Sequence, residues 1–259
     1  MGVFKFKQFE LSDGGCGMKI GSDSVLLGAW FLPRYATART VADIGAGSGL
    51  LALMAAQCCP HARVTAVELD SLAAEACRAN ALESPWAGRI DTVCTDFTLW
   101  KPRMQTQPEE EAVFDIIISN PPYFTTGEQA SDAARATARH QNGLTYRSIL
   151  ATRHLAPGGH TGLVAPADME HDIIFDATLA GMRLCRLCRV QTSPRKAPTR
   201  ILLDFMRPAA ETSVSDSAAL KNLPDPPLAP EVQTLSMRQA DGSYSDEYRA
   251  LTDQFYIKL

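Results

Sequence analysis

The chain has 259 residues, of which 46% are apolar and 21% charged, with a formal net charge of -4. That length suits one large domain or a domain with an appendage, and the apolar share supports a substantial core. The negative balance excludes a long basic footprint for nucleic acid but leaves room for a local basic face.

No apolar run reaches membrane-spanning length, and the first twenty residues lack a signal-peptide core. Seven scattered cysteines suit a reducing cytosol better than a disulfide framework. In chain order, Val3, Phe4, Phe6 and Phe9 alternate with Lys5 and Lys7, as in a short strand or an arm laid over the core. Val25 to Leu32 is an apolar patch just after Ser22 and Asp23, which predicts a short helix capped by one of those two residues. Strands and helices then alternate. The expected elements are strand Thr40 to Ile44, helix Leu50 to Gln57, strand Val64 to Glu68, helix Ser71 to Ala81 capped by Ser71, and strand Ile90 to Cys94. Residues 101 to 112, with two prolines and three consecutive glutamates, read as a solvated loop.

Phe114 to Ser119 suits a fully buried parallel strand. It ends in Asn120-Pro121-Pro122-Tyr123, and proline lacks the N–H that a strand ladder needs. The strand therefore stops near Asn120 in a stiff turn at its carboxyl end, where open α/β sheets bind ligands. An amide, rigid carbonyls and a ring can recognise a planar group bearing an amine; the same residues would also serve as an amide cap and a proline stop. Residues 124 to 142 are small, polar and charged, as in a mobile active-site segment.

Helix Leu144 to Leu155, strand Thr161 to Ala165 and helix Asp168 to Leu179 are expected next. Leu184 to Val190 and Ile201 to Met206 are too closely linked for a helical crossover, which predicts an antiparallel hairpin. Five prolines between 208 and 230 mark a linker, Leu235 to Arg238 an edge strand, and Ser245 to Tyr256 a terminal helix. The fold class is α/β, with a Rossmann-like mixed sheet of seven strands flanked by helices. Residues 1–39 form an N-terminal segment completing the site, 40–207 the core, and 208–259 a linker, edge strand and helix packed on it.

Asp43-Ile44-Gly45-Ala46-Gly47-Ser48-Gly49 joins the first core strand to its helix. Gly45, Gly47 and Gly49 allow a tight turn and close approach of a ligand, but such a turn also serves dinucleotides or simple packing. Three acids favour S-adenosylmethionine. Asp43 suits the cationic methionine end and would repel a pyrophosphate; Glu68 can hold both ribose hydroxyls; Asp96 can accept from an adenine amine, with Phe97 or Leu69 covering the ring. Each acid alone would be an ordinary cap or surface residue, and it is their succession at strand ends that carries the reading.

The segments DIGAGSG, AVELD and IIISNPPY resemble the class I S-adenosylmethionine-dependent methyltransferases that act on amino groups. The flanking FKQFELSDGGCGMKIGSDSVLLGAW, LLALMAAQ, SPWAGRI, PRKAPTRILLDF and YSDEYRALTDQFY are similar to one family, the bacterial enzymes that methylate N6 of adenosine beside the anticodon of valine tRNA. The resemblance implies that the three glycines shape the methionine end of the site and that Gly21, Ser22 and Asp23 complete the pocket. It further implies that Asn120, beside the cofactor, and the Pro121 carbonyl take the two hydrogens of the target amine, while Tyr123 stacks on the flipped base. Proton loss can follow transfer, so no side-chain base of raised pKa is required.

Arg183, Arg186, Arg189, Arg195, Lys196, Arg200 and Arg207 crowd the late strands, and Arg135 and Arg139 follow the Asn-Pro-Pro-Tyr turn. Arg195, Lys196 and Arg200 are candidate phosphate contacts, with Arg135 and Arg139 beside the substrate. Cys185 and Cys188 are three apart on a strand, facing opposite ways, and read as buried thiols; no metal is expected. The reading is a cytoplasmic enzyme with tRNA as partner, no membrane association and a monomer favoured. A protein glutamine-N5 methyltransferase shares the turn, although residues 1–39 leave little room for the helical domain such relatives often carry. A cofactor- and RNA-binding protein without turnover is the alternative outside enzymes. A dinucleotide dehydrogenase explains neither Asp43 nor the Asn-Pro-Pro-Tyr turn.

Overall fold

The computed structural model describes residues 2–13, 21–102, 113–122, 144–209 and 229–258. A hairpin of β1 (Val3–Lys5) and β2 (Glu10–Ser12) comes first, followed by α1 (Ser22–Phe31). The alternation then runs β3 (Thr40–Ile44), α2 (Leu50–Cys58), β4 (Arg63–Glu68), α3 (Ser71–Glu83), β5 (Ile90–Cys94) and β6 (Phe114–Ser119). The chain continues through α4 (Tyr146–Leu150), β7 (Leu155–Pro166), α5 (Glu170–Leu179), β8 (Arg183–Gln191), β9 (Arg200–Met206), β10 (Glu231–Ser236) and α6 (Asp246–Thr252).

Strands β3 to β10 form one mixed sheet in the order β10-β8-β9-β7-β6-β3-β4-β5. Strands β5, β4, β3, β6 and β7 are parallel, and β9 runs antiparallel to both β7 and β8. The late hairpin is therefore present. The sheet has eight described strands where the sequence suggests seven and an edge segment, because that edge, β10, pairs along its whole length with β8. It begins at Glu231, not Leu235; Glu231 to Thr234 are exposed and give no apolar signal to read.

Strand order reverses at the β3–β6 pair, with β4 and β5 on one side and β7 on the other. In open α/β sheets, ligands bind outside the carboxyl ends of the strands at such a reversal. Every residue of β6 is buried, as expected of a parallel strand covered on both faces. One apolar cluster packs Phe31, Leu53, Met54, Ile116 and Phe255 on one face; another packs Ile117, Ile149, Leu163, Ile173 and Phe205 on the other.

The helix expected over 144–155 is only five residues long, opened by a capping box between Thr145 and Ser148. Its apolar continuation, Leu155 and Ala156, belongs to β7. Pro157-Gly158-Gly159 does not close a helix but sits inside that strand, where a register shift between Phe114 and Ile116 of β6 absorbs it. Gly159 permits this: a Cβ there would lie 2.9 Å from the carbonyl oxygens of Asp115 and Ala156. Helix α3 is capped by Asp70, whose Oδ1 accepts the Ala73 N–H at 2.8 Å, and Ser71 lies inside it. Helix α1 starts at Ser22, with Gly21 as its cap residue.

Candidate active site

The turn after β3 is built on left-handed backbone, with φ of 70° at Gly45, 55° at Gly47 and 91° at Gly49. Gly49 opens α2 so close to α3 that a Cβ would lie 2.7 Å from Cys77 Sγ. Gly47 differs, because a Cβ there would meet nothing within 4 Å. The backbone at Gly47 thus faces open space that a ligand can enter and a side chain would fill.

Asp43, one residue before the end of β3, is fully buried. Its Oδ2 accepts the Ala52 N–H at 2.9 Å, while Oδ1 has no hydrogen-bond partner among the described residues. Burial pushes its carboxyl up to about 8, with the Glu68 charge adding to the effect against the Ala52 hydrogen bond. Such a buried, half-satisfied carboxylate fits a cationic amino group. Glu68, at the end of β4, accepts the Gly47 N–H through Oε2 at 2.8 Å and the Asp70 N–H through Oε1 at 2.9 Å. Asp96, just past β5, accepts both the N–H and the hydroxyl of Thr98 through Oδ1, at 2.8 and 2.7 Å. Because β3, β4 and β5 are neighbours, the three acids stand in a row along one sheet edge. Leu69 is 43% exposed, whereas Phe97 is 7% exposed and packed near Trp100 and His154. Of the two ring-covering candidates, Leu69 has the surface to offer.

At the end of β6, Ser119 Oγ donates to the Ile44 carbonyl at 2.6 Å, locking the β6 terminus to the β3 terminus. Asn120 follows, then buried Pro121. The Asn120 Nδ2 donates to Ser24 Oγ at 2.8 Å, and the preceding residue, Asp23, accepts from Arg200 Nε at 2.7 Å. The first turn of α1 thereby meets both β6 and β9. Sequence reasoning pointed to Gly21, Ser22 and Asp23 but missed Ser24, which no local motif marks. Tyr123, Arg135 and Arg139, together with the segment 124–142, lie outside the described residues.

Strand β9 runs against β7, so Arg200 pairs with Pro166 at the same sheet edge as Asn120. Arg195 and Lys196 are exposed in the turn between β8 and β9 at that edge. The rest of the basic run is not a surface patch. Arg186 is buried and donates to Asp204 Oδ2 at 2.8 Å, Arg189 holds Glu170 at 2.8 Å, and Arg207 donates to the Thr152 and Leu155 carbonyls. Cys185 and Cys188 are buried thiols, and burial pushes each to about 11. Among the described residues no group of three or more His, Cys, Asp or Glu could hold a metal ion, and no helix is long and apolar enough to cross a membrane.

A mixed sheet with its reversal at β3–β6, a glycine turn and successive strand-end acids defines a class I methyltransferase, whose cofactor is S-adenosylmethionine. Two solved structures share the fold. A predicted O-methyltransferase from Agrobacterium tumefaciens superposes with a TM-score of 0.60 at 20% identity, covering 90% of this chain and 96% of that one. A class I methyltransferase from Listeria monocytogenes gives 0.55 at 13% identity, covering 92% and 71%. The methyltransferase small domain family model matches residues 18–186. Over 99% of this chain, the protein named tRNA1(Val) (adenine(37)-N6)-methyltransferase is 42% identical in Shewanella loihica, across 99% of its length, and 38% identical in Tolumonas auensis, across 97%. The chain belongs to this family of bacterial methyltransferases.

Proposed function

We propose that this protein works in the cytoplasm and methylates N6 of adenine 37 in tRNA1(Val), the reaction that the names of its full-length relatives give for those proteins. The observation that carries the reading is Asn120 at the carboxyl end of β6, locked beside the glycine turn by the Ser119–Ile44 hydrogen bond. S-adenosylmethionine supplies a methyl group already activated on a sulfonium. Asp43 and the Gly45-to-Gly49 turn would hold its methionine end, with Gly21, Ser22 and Asp23 completing the pocket. Glu68 would hold the ribose and Asp96 the adenine amine, with Leu69 against the ring.

The lone pair of an adenine N6 is delocalised into the ring, which makes it a poor nucleophile. Asn120 Oδ1 and the Pro121 carbonyl would accept its two N–H groups and hold the nitrogen in line while its bond to the methyl carbon forms and the carbon–sulfur bond breaks. The surplus proton then leaves to water, and no side chain acts as its base. Tyr123 would stack on the base once it has left the helix or loop stack. Arg195, Lys196 and Arg200 would meet phosphates at the same sheet edge, with Arg135 and Arg139 nearby in sequence to the turn.

The test is labelled-methyl transfer to total tRNA followed by nucleoside identification and mapping. N6-methyladenosine at position 37 of tRNA1(Val) is expected. Label on a protein glutamine, or on no substrate at all, would contradict the proposal.

A further inference from the structure

We propose that Asn80 is a positioning residue that ties the N-terminal hairpin to the glycine turn, so that cofactor binding at the turn and docking of the hairpin strengthen each other; this rests on the reading that the turn holds the methionine end of S-adenosylmethionine. Asn80 lies in α3 and is 3% exposed. Its Oδ1 accepts the Ser12 N–H at 2.9 Å, and its Nδ2 donates to the carbonyls of Ser12 and Ser48, each at 2.9 Å. All three partners are main-chain groups of fixed polarity, so the amide fits them in one orientation only.

Ser12 ends β2 opposite Val3 of β1, and its N–H and carbonyl both turn to Asn80. Ser48 stands between Gly47 and Gly49, so the turn is held from two sides. Glu68 of β4 accepts the Gly47 N–H, and Asn80 of α3 takes the next carbonyl. One helical turn before Asn80, on the same face of α3, Cys77 crowds Gly49. The helix face under the glycine turn is therefore the face that receives the open end of the hairpin. The closed end has anchors of its own. Phe6 and Phe9 are buried, Phe9 meets the Trp86 ring at 5.8 Å, and the Lys7 N–H donates to the Phe255 carbonyl at 2.8 Å. Loss of the Asn80 amide thus loosens the open end without unseating the hairpin. A ligand that steadies Ser48 steadies the amide that also grips Ser12, and by linkage a docked hairpin favours that ligand to the same degree.

Hydrogen exchange and calorimetry on the full chain test this with wild type, Asn80→Ala, Asn80→Asp and Gly47→Ala. In wild type, S-adenosylmethionine should slow exchange in a peptide spanning residues 9–13 about fivefold more than in a β10 peptide, which reports the molecule as a whole. Asn80→Ala should abolish this extra protection and weaken cofactor binding about five- to tenfold, the scale of one or two neutral hydrogen bonds. The cofactor KM should rise to match, with the tRNA KM and the saturated kcat close to wild type. Asn80→Asp keeps an acceptor for the Ser12 N–H but cannot donate to Ser48. It should lose at least as much cofactor affinity, and its hairpin should no longer respond to the cofactor.

A wild-type hairpin that gains no more protection than β10 would overturn the coupling, whether or not the variants fold. So would a cofactor affinity that Gly47→Ala lowers and both Asn80 variants leave unchanged. An affinity that Gly47→Ala also leaves unchanged would overturn the reading of the turn, and this proposal with it.

Discussion

Glu68 Oε2 accepts the Gly47 N–H at 2.8 Å, so the carboxylate ending β4 holds the glycine turn that follows β3. The two residues lie 21 apart in sequence and would form one wall of the proposed cofactor pocket. Gly47→Ala places a methyl in the open space at that wall and forces a left-handed alanine, which costs about 1–2 kcal/mol. S-adenosylmethionine affinity, measured by calorimetry, should fall by much more than this modest loss of stability suggests. An unchanged affinity would remove the turn from the binding site.

Asp43 carries a pH signature. Its carboxyl is raised from 3.8 to about 8 by burial, so the folded protein keeps a proton that the unfolded chain releases between those values. Its contribution to stability is therefore full below pH 3.8 and is lost as pH rises through about 8. A cationic ligand needs the ionised form, so cofactor affinity should rise over the same span. Asp43→Asn should flatten both dependences and weaken binding at high pH by about 1.5–3 kcal/mol, the scale of a charge-assisted hydrogen bond. Binding and melting curves across pH check this.

The basic residues at the β9 edge should separate by function. Arg195→Ala and Lys196→Ala should weaken tRNA binding and each lower the slope of log affinity against log salt by about one, with cofactor affinity unchanged. Arg200→Ala also removes the ion pair to Asp23 in the first turn of α1. It should lower kcat in addition to tRNA affinity.

Away from the pocket, Tyr35 donates to Asp204 Oδ2 at 2.5 Å, and Arg186 and His160 meet the same carboxylate at 2.8 and 2.9 Å. Burial alone would raise the Asp204 carboxyl. The His160 hydrogen bond and the His160 and Arg186 charges outweigh it, and the carboxyl stays below its ordinary range. That stabilisation is present above the ordinary aspartate range and is lost as pH falls through the depressed value. Asp204→Ala leaves the buried Arg186 without its carboxylate, at a cost of about 3–5 kcal/mol. Urea unfolding should register it, with the loss largest at neutral pH.

What the sequence disclosed was what is local in it. The glycine turn, the strand-end acids and the Asn-Pro-Pro stop each sit within a few residues of the element they punctuate. The Ser24–Asn120 and Asp23–Arg200 contacts join residues 96 and 177 apart, and no periodicity encodes such pairings. Nothing local in the basic run marks Arg186 as buried, because its partner, Asp204, comes from the neighbouring strand. The helix suggested over 144–155 ends at Leu150, and Leu155 opens a strand, because helical and extended periods are alike over so few residues.

The central claim is that Asn120 grips the nitrogen that receives the methyl group. It is tested most directly by comparing wild type and Asn120→Ala in labelled-methyl transfer to tRNA, with cofactor affinity measured in parallel. The account predicts a loss of about a hundredfold or more in kcat, with affinity for S-adenosylmethionine nearly unchanged. Turnover that survives the substitution, with label still on adenine N6, would contradict it.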